Sequence, residues 1–223
     1  MSSNPVTTID LLRHGQTQAD DILRGRIDVP LSENGYQQMQ DRVAPYINPE
    51  FPWQQIITSP LQRCAQFANN LAEQHRSPIN VHEGFLEIDF GDWDGRSFDE
   101  LKAEDAELFS KIWIEPHKYR PPNGETFQAF SSRINTAWQG ILQQHCGKHI
   151  LLICHGGVIR ALLSNIMQTP LTSLSRIDVP YACLSRIRVH HHLGQSDWPQ
   201  LIFHNPGNHY PGESQNDTYS EVP

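Results

Sequence analysis

Positive charge is scarce in this chain. Lysine and arginine together number 17 against 25 aspartates and glutamates, a formal net charge of −8 at pH 7. That balance argues against a general affinity for nucleic acid or anionic membrane, both of which need a broad cationic surface. A local cationic pocket remains open. Cysteine is scarce as well: Cys64, Cys146, Cys154 and Cys183 stand far apart, with no C-x-x-C pair. Neither a zinc site nor a disulfide framework is indicated, and free, mostly buried thiols are expected. No run of eighteen apolar residues occurs, and the first twenty residues lack the apolar stretch of a signal peptide, so a cytoplasmic location is expected. Linker-like stretches and long internal repeats are also missing. The 223 residues, 38% of them apolar, are expected to form one domain through residue 205, followed by a polar, turn-rich and disordered tail over 206–223.

What is present reads as alternating strands and helices. "IDLLR" is a strand, Ser32 caps a helix in "PLSENGYQQMQDRVAPYI", and "WQQIITSP" is a short buried strand. Ser59 and Pro60 suit the cap and first position of the next helix, whose apolar stripe includes Leu61, Cys64, Ala68 and Leu71. Ile79 to His82 reads as a strand. Ser97 and Glu100 form a capping box ahead of one continuous helix through Trp113. Helical spacing over Thr126 to His145 stops before Gly147, and "HILLIC" has the continuous apolar run of a strand covered on both faces. A helix follows in "VIRALLSNIM", and "ACLSRIRVH" and "PQLIFHN" suit two neighbouring strands. The consistent fold class is α/β, a single-domain three-layer α/β/α sandwich with a mostly parallel central sheet.

In such a sheet, ligands sit outside the carboxyl ends of the strands. Three of those ends carry unusual residues: "LLRHG" presents Arg13 and His14, "IITSPLQR" presents Arg63 in a helix's first turn, and "LLICHGG" presents His155 at a helix start. Two forked guanidinium groups and unpaired helix-start N–H groups suit phosphate oxygens. A fourth segment, "EGFLEIDFGDWDG", sets Glu87 among Phe85, Leu86 and Ile88, as suits a partly desolvated acid. Taken singly, Arg13 also reads as a surface cation and His14 as a turn residue.

The fragments "LLRHGQT", "GRIDVPLSENG", "SPLQRCAQFA", "LEIDFGDWDG", "PPNGETF", "HGGVIRALL" and "VPYACLSRIR" occur in this order over residues 8 to 205. In that order the chain resembles the histidine phosphatase superfamily, the group that includes phosphoglycerate mutase, and most closely its α-ribazole phosphatase-like members. The resemblance implies a phosphomonoester hydrolase in which His14 is the nucleophile. Arg13, Arg63 and His155 would then hold the phosphoryl oxygens, and Glu87 would serve as acid and then base. It implies no metal and no cofactor. Its partner is a small-molecule phosphomonoester, with α-ribazole 5′-phosphate of cobalamin biosynthesis as one candidate substrate. A broad-specificity phosphatase, a mutase and an inactive ligand- or partner-binding member are the alternatives. Oligomeric state is left open, a homodimer being one arrangement.

One position departs from the family pattern. Where the family often has an asparagine that touches phosphate, this chain has Asp20, and Arg24 beside Gly25 could supply the missing donor. Arg24, Gly25, Thr126 and Gly156 are therefore the candidate substrate contacts. Arg133 reads as an ion-pair partner, and His190 to His192 as a solvated turn with no metal. Trp93 reads as core, although its nearness to Glu87 in sequence also allows it, like Phe90, to line a substrate pocket. The short segment from Trp93 to Gly124 offers "HKYR" as its only basic cluster, which favours a phosphatase over a mutase.

Overall fold

The computed structural model describes residues 5–19, 21–47, 50–191 and 196–206. Asp20, His192 and the expected polar tail apart from Pro206 lie outside the described residues. Six strands form one sheet in the order β3-β2-β4-β1-β5-β6, where β1 is Val6–Arg13, β2 Gln55–Thr58, β3 Ile79–Val81, β4 His149–Cys154, β5 Leu184–His190 and β6 Trp198–His204. β3, β2, β4 and β1 pair in parallel. β5 runs antiparallel to both β1 and β6, so it alone is reversed.

Side-chain alternation along the strands divides the core into two layers. Ile9 and Leu11 of β1 and Ile150, Leu152 and Cys154 of β4 face α3 (Phe98–Ile114), α4 (Phe127–Gln144) and α5 (Gly156–Ile166). Leu12, Leu151 and Ile153 face the other way, onto α1 (Glu33–Val43) and α2 (Gln62–His75). Because β4 is covered on both faces, every residue after His149 in it is buried. This is the expected three-layer α/β/α sandwich, with its parallel strand ends gathered at one edge.

Local differences from the sequence reading have local causes. Leu61, not Ser59, is the N-cap of α2. The Asp28 carboxylate, arriving from a distant loop, accepts the Gln62 N–H at 2.7 Å, while the Ser59 hydroxyl reaches only the Leu61 N–H, at 3.4 Å. α3 is kinked at Asp105 (φ −152°, ψ 83°), whose carboxylate accepts the Leu108 N–H at 2.8 Å and so caps a second helical segment. His82 lies outside β3 and accepts the Gly84 N–H through its ring at 3.0 Å. His190 and His191 are not in a solvated turn. His190 closes β5 opposite Trp198, and the His191 ring lies between Thr7 Oγ1 (2.7 Å) and Asp197 Oδ1 (2.9 Å). The loop after β1 crosses the first turn of α1 closely enough that a Cβ on Gly35 would stand 1.9 Å from the Gln16 oxygen. Only glycine fits there.

Candidate active site

β2, β4 and β1 are adjacent parallel strands, and their ends deliver the site. The His14 N–H donates to the Cys154 carbonyl at 3.0 Å and the Ser59 N–H to the Ile153 carbonyl at 3.0 Å, so His14, His155 and Ser59 stand side by side. The two imidazole rings lie edge to face with centroids 5.4 Å apart.

His14 is buried, and its Nδ1 lies 2.8 Å from the Gly15 carbonyl. A carbonyl can only accept, so Nδ1 carries the proton and the neutral ring keeps its lone pair on Nε2. Burial holds the His14 pKa well below the ordinary imidazole range, and the charges of Arg63, Arg13 and Arg24 press the same way against a smaller opposing effect of the Gly15 hydrogen bond. His155 is neutral for similar reasons: burial first, then Arg63, His14, Arg13 and Arg26. Arg63 Nε donates to His155 Nδ1 at 3.3 Å, which leaves Nε2–H to face Ser59 Oγ at 2.7 Å. Beneath the ring, Cys64 Sγ is 3.7 Å from Nε2. Burial pushes that thiol pKa up, so it stays protonated and inert.

Three arginines surround His14. Arg63 is fully buried and fastened by Nη1 to the Ile27 carbonyl and Nη2 to the Gly25 carbonyl, both at 2.8 Å. The loop it grips is held from outside by Asp94, whose carboxylate accepts the N–H groups of Gly25, Arg26 and Ile27 at 2.7, 2.6 and 2.8 Å. Arg13 Nη1 donates to the Val179 carbonyl at 2.5 Å. Arg24 is buried, donating through Nη1 to the Ala19 carbonyl and through Nη2 to the Tyr181 hydroxyl. Packing three like charges together is unfavourable until an anion enters.

Glu87 reaches the same place from the loop between β3 and α3. Its Oε2 accepts the Gly157 N–H at 2.9 Å, in the first turn of α5, and Oε1 accepts the Ile88 N–H at 3.0 Å. The loop is strapped by Arg133, whose Nη1 donates to the carbonyls of Gly84 (2.9 Å) and Leu86 (3.0 Å). Glu125 holds Arg133 in turn with a two-pronged pair at 3.1 and 2.8 Å. Arg133 is thus the expected ion-pair partner. Thr126 caps α4 by accepting the Ala129 N–H at 3.1 Å, and its hydroxyl keeps its own proton to donate. Gly156 lies against Arg13, with a Cβ there 3.4 Å from Arg13 Nε.

Beside Glu87 and Gly157 lies a cavity of about 50 Å³, lined by Ile88, Phe90, Ile112, Trp113, Phe127 and Phe130 among others, with Arg160 and Ser175 its main further polar groups. Trp93 takes no part. It is buried against Phe109, ring centroids 5.9 Å apart, and Trp113 of α3 occupies the place that nearness in sequence suggested for it.

Five parts of the arrangement escaped the sequence reading: Ser59 as partner of His155, Asp28 at the start of α2, Asp94 under the loop at Gly25 to Ile27, the Arg133 strap and Tyr181. Asp94 and Tyr181 stand within the quoted fragments "LEIDFGDWDG" and "VPYACLSRIR", so their segments were marked although their roles were not.

The fold and the His14–His155 pair define a histidine phosphatase, and residues 9–199 match the family model of the histidine phosphatase superfamily, branch 1. The chain belongs to that family and is a phosphatase enzyme. It is 30% identical over 182 residues, 80% of its length and 88% of the relative's, to the adenosylcobalamin/alpha-ribazole phosphatase of Escherichia coli K12. Among solved structures it resembles YhfR of Bacillus stearothermophilus, with a TM-score of 0.75 and 31% identity over 81% of this chain and 90% of that one. A putative alpha-ribazole-5′-P phosphatase from E. coli K-12 matches with a TM-score of 0.76 and 28% identity, covering 90% and 96% of the two chains. No helix among the described residues is long and apolar enough to cross a membrane.

Proposed function

We propose that the chain hydrolyses small phosphomonoesters through a phosphohistidine on His14. The observation that carries this reading is the His14 tautomer: Nδ1–H is tied to the Gly15 carbonyl and the Nε2 lone pair is presented among Arg13, Arg24 and Arg63. In the first step, Nε2 attacks phosphorus, the ester P–O bond breaks, and the leaving oxygen takes the proton of the Glu87 carboxyl group. In the second, the Glu87 carboxylate removes a proton from water as its oxygen attacks phosphorus. The N–P bond breaks, releasing inorganic phosphate and restoring neutral His14. Arg13, Arg63 and His155 stabilise the charge on the transferring group, where preorganised donors act most strongly. For His155 to donate through Nδ1, the ring must exchange tautomers, which the Ser59 hydroxyl permits because it can donate or accept, and the Arg63 Nε–H must turn from Nδ1 to the phosphoryl group.

The alcohol side of the ester lies toward Glu87 and therefore toward the adjoining apolar cavity. That surrounding favours a flat, weakly polar alcohol over one with a second anionic group, so hydrolysis is favoured over mutase chemistry. α-Ribazole 5′-phosphate is the finer reading. The similarity to enzymes named for that substrate and the aromatic walls Phe90 and Trp113 support it. The four free thiols suit a reducing, cytoplasmic setting.

Rapid acid-quench and base-quench of single-turnover reactions with labelled phosphomonoester tests the mechanism. Acid-labile, base-stable label on wild-type protein and none on His14→Ala is the expected result. Label on serine, or turnover by His14→Ala equal to wild type, overturns the reading.

A further inference from the structure

We propose that Tyr181 is a positioning residue of the phosphoryl site, a clamp whose ring seats Arg13 and whose hydroxyl aims Arg24 at the phosphoryl group as a third guanidinium. The proposal rests on the phosphate-binding reading of this site and extends it to a residue at which no chemistry occurs. Its basis is geometric. The Arg13 guanidinium carbon lies 4.3 Å from the Tyr181 ring centroid, a cation–π contact. The Tyr181 hydroxyl accepts from Arg24 Nη2 at 2.5 Å. The same ring is 5.9 Å from that of His14.

The loop that carries Tyr181 is built onto the end of β1. The Arg13 N–H donates to the Cys183 carbonyl at 2.9 Å and the Ala182 N–H to the His14 carbonyl at 3.2 Å. Ala182 holds φ at 51°, the left-handed region that a residue with a Cβ seldom adopts. This strained reversal brings Tyr181 back over the strand end that bears Arg13 and His14, a placement that needs a reason beyond chain connection.

Electrostatics supply that reason. Arg13 and Arg24 both meet Tyr181, whose ring is 5.9 Å from that of His14, and Arg63 meets His155, whose ring is 5.4 Å from it, so three like charges gather around one imidazole. Without phosphate they repel one another and need fixed partners. Arg63 has two carbonyls, and Arg13 has the Val179 carbonyl and the Tyr181 face. Arg24 is held from one side by the Ala19 carbonyl and from the other by Tyr181. A phosphoryl dianion has three non-bridging oxygens, so a third forked donor recognises a monoester that a two-arginine site would bind less well.

The test is calorimetric binding of inorganic phosphate together with steady-state kinetics on p-nitrophenyl phosphate. Tyr181→Phe keeps the stack and removes the bond to Arg24. It should weaken phosphate binding and raise KM by about tenfold, with a smaller change in kcat, as for loss of a hydrogen bond to a charged group. Arg24→Met should do the same, and the double variant should be no worse than Arg24→Met alone, because the phenol acts through Arg24. Unchanged phosphate affinity in Tyr181→Phe, or effects that multiply in the double variant, would overturn the clamp. So would wild-type protein that fails to bind phosphate. Should Tyr181→Phe not fold, Arg24→Met decides from the other end of the bond: unchanged affinity and KM refute the clamp. Phosphate binding needs no turnover, so a clamp that passes this test while no phosphohistidine forms refutes the mechanism and leaves the clamp standing.

Discussion

Glu87 Oε2 accepts the backbone N–H of Gly157 at 2.9 Å, which seats the acid of one loop on the first turn of a helix that also begins with His155. The contact is possible only because residue 157 has no side chain: a Cβ there would lie 2.3 Å from Glu87 Oε1. Gly157→Ala should therefore displace the carboxyl group while leaving the fold intact, since alanine is intrinsically the better helix former by up to about 1 kcal/mol. The expected outcome is a fall of about tenfold or more in kcat/KM for alkyl phosphates and a smaller fall for p-nitrophenyl phosphate, whose leaving group hardly needs a proton. Equal losses on both substrates would show that Glu87 is not the acid.

His14 is held neutral chiefly by burial and secondarily by Arg63, Arg13 and Arg24. Its imidazole should show no protonation in NMR titration from neutral pH down through about 6.5, the ordinary histidine value. Removing a nearby cation makes the imidazolium less unfavourable, so Arg63→Met should move the midpoint upward. The rise is partial because burial remains. A wild-type midpoint at or above the ordinary value would contradict the proposed electrostatics.

The layers and the five central side chains were legible because their signals are local. A strand that ends in Arg-His-Gly, a helix opening on His-Gly-Gly and an acid in an apolar run each occupy one short stretch. What the sequence concealed are contacts between distant stretches. Ser59 has the right neighbours for a helix cap, yet its shorter bond is to His155, 96 residues away at 2.7 Å, and it holds the helix start only through the Leu61 N–H at 3.4 Å. Asp28 then takes over the helix start. Nearness along the chain to Glu87 points to Trp93, yet α3 returns Trp113 to the cavity while Trp93 turns into the core. Tyr181 reads as one more aromatic before a strand until the reversal at Ala182 sets it on Arg13.

Asp10 predicts a pH-dependent stability that is separate from the site. Burial alone would raise its pKa, but the Arg186 pair at 2.7 and 2.9 Å, together with His149, outweighs burial and leaves the pKa lowered. Trp53 Nε1 donates to the same carboxylate at 2.8 Å. Asp10→Asn should cost about 1–3 kcal/mol in urea unfolding at pH 7, as for loss of hydrogen bonds to a charged group, because the Arg186 left behind is only partly buried. A carboxylate with a lowered folded pKa stabilises fully above its unfolded value, about 3.9, and this contribution is lost as pH falls through the folded value. The gap between variant and wild type should therefore narrow in acid below about pH 4. A gap independent of pH would mean that the charge of Asp10 contributes nothing.

The cavity makes the substrate testable. Because it begins at Glu87 and is walled by Ile88, Phe90, Trp113, Phe127 and Phe130, the group attached to the leaving oxygen must shed water against apolar and aromatic surface. The carboxylate of 3-phosphoglycerate would lose hydration there with little beyond Arg160 to compensate, whereas a flat heterocycle would gain contact. In a competition assay, α-ribazole 5′-phosphate should exceed AMP, 3-phosphoglycerate and sugar phosphates in kcat/KM by about a hundredfold, or roughly 2.7 kcal/mol of differential transition-state binding. Trp113→Ala should erode that preference by removing a wall while leaving hydrolysis of p-nitrophenyl phosphate less affected, because the reacting groups lie on other elements. A flat profile in the wild-type enzyme would remove the α-ribazole reading and leave a phosphatase of broad specificity. A preference for AMP over α-ribazole 5′-phosphate would show that the cavity selects a nucleoside but a different base.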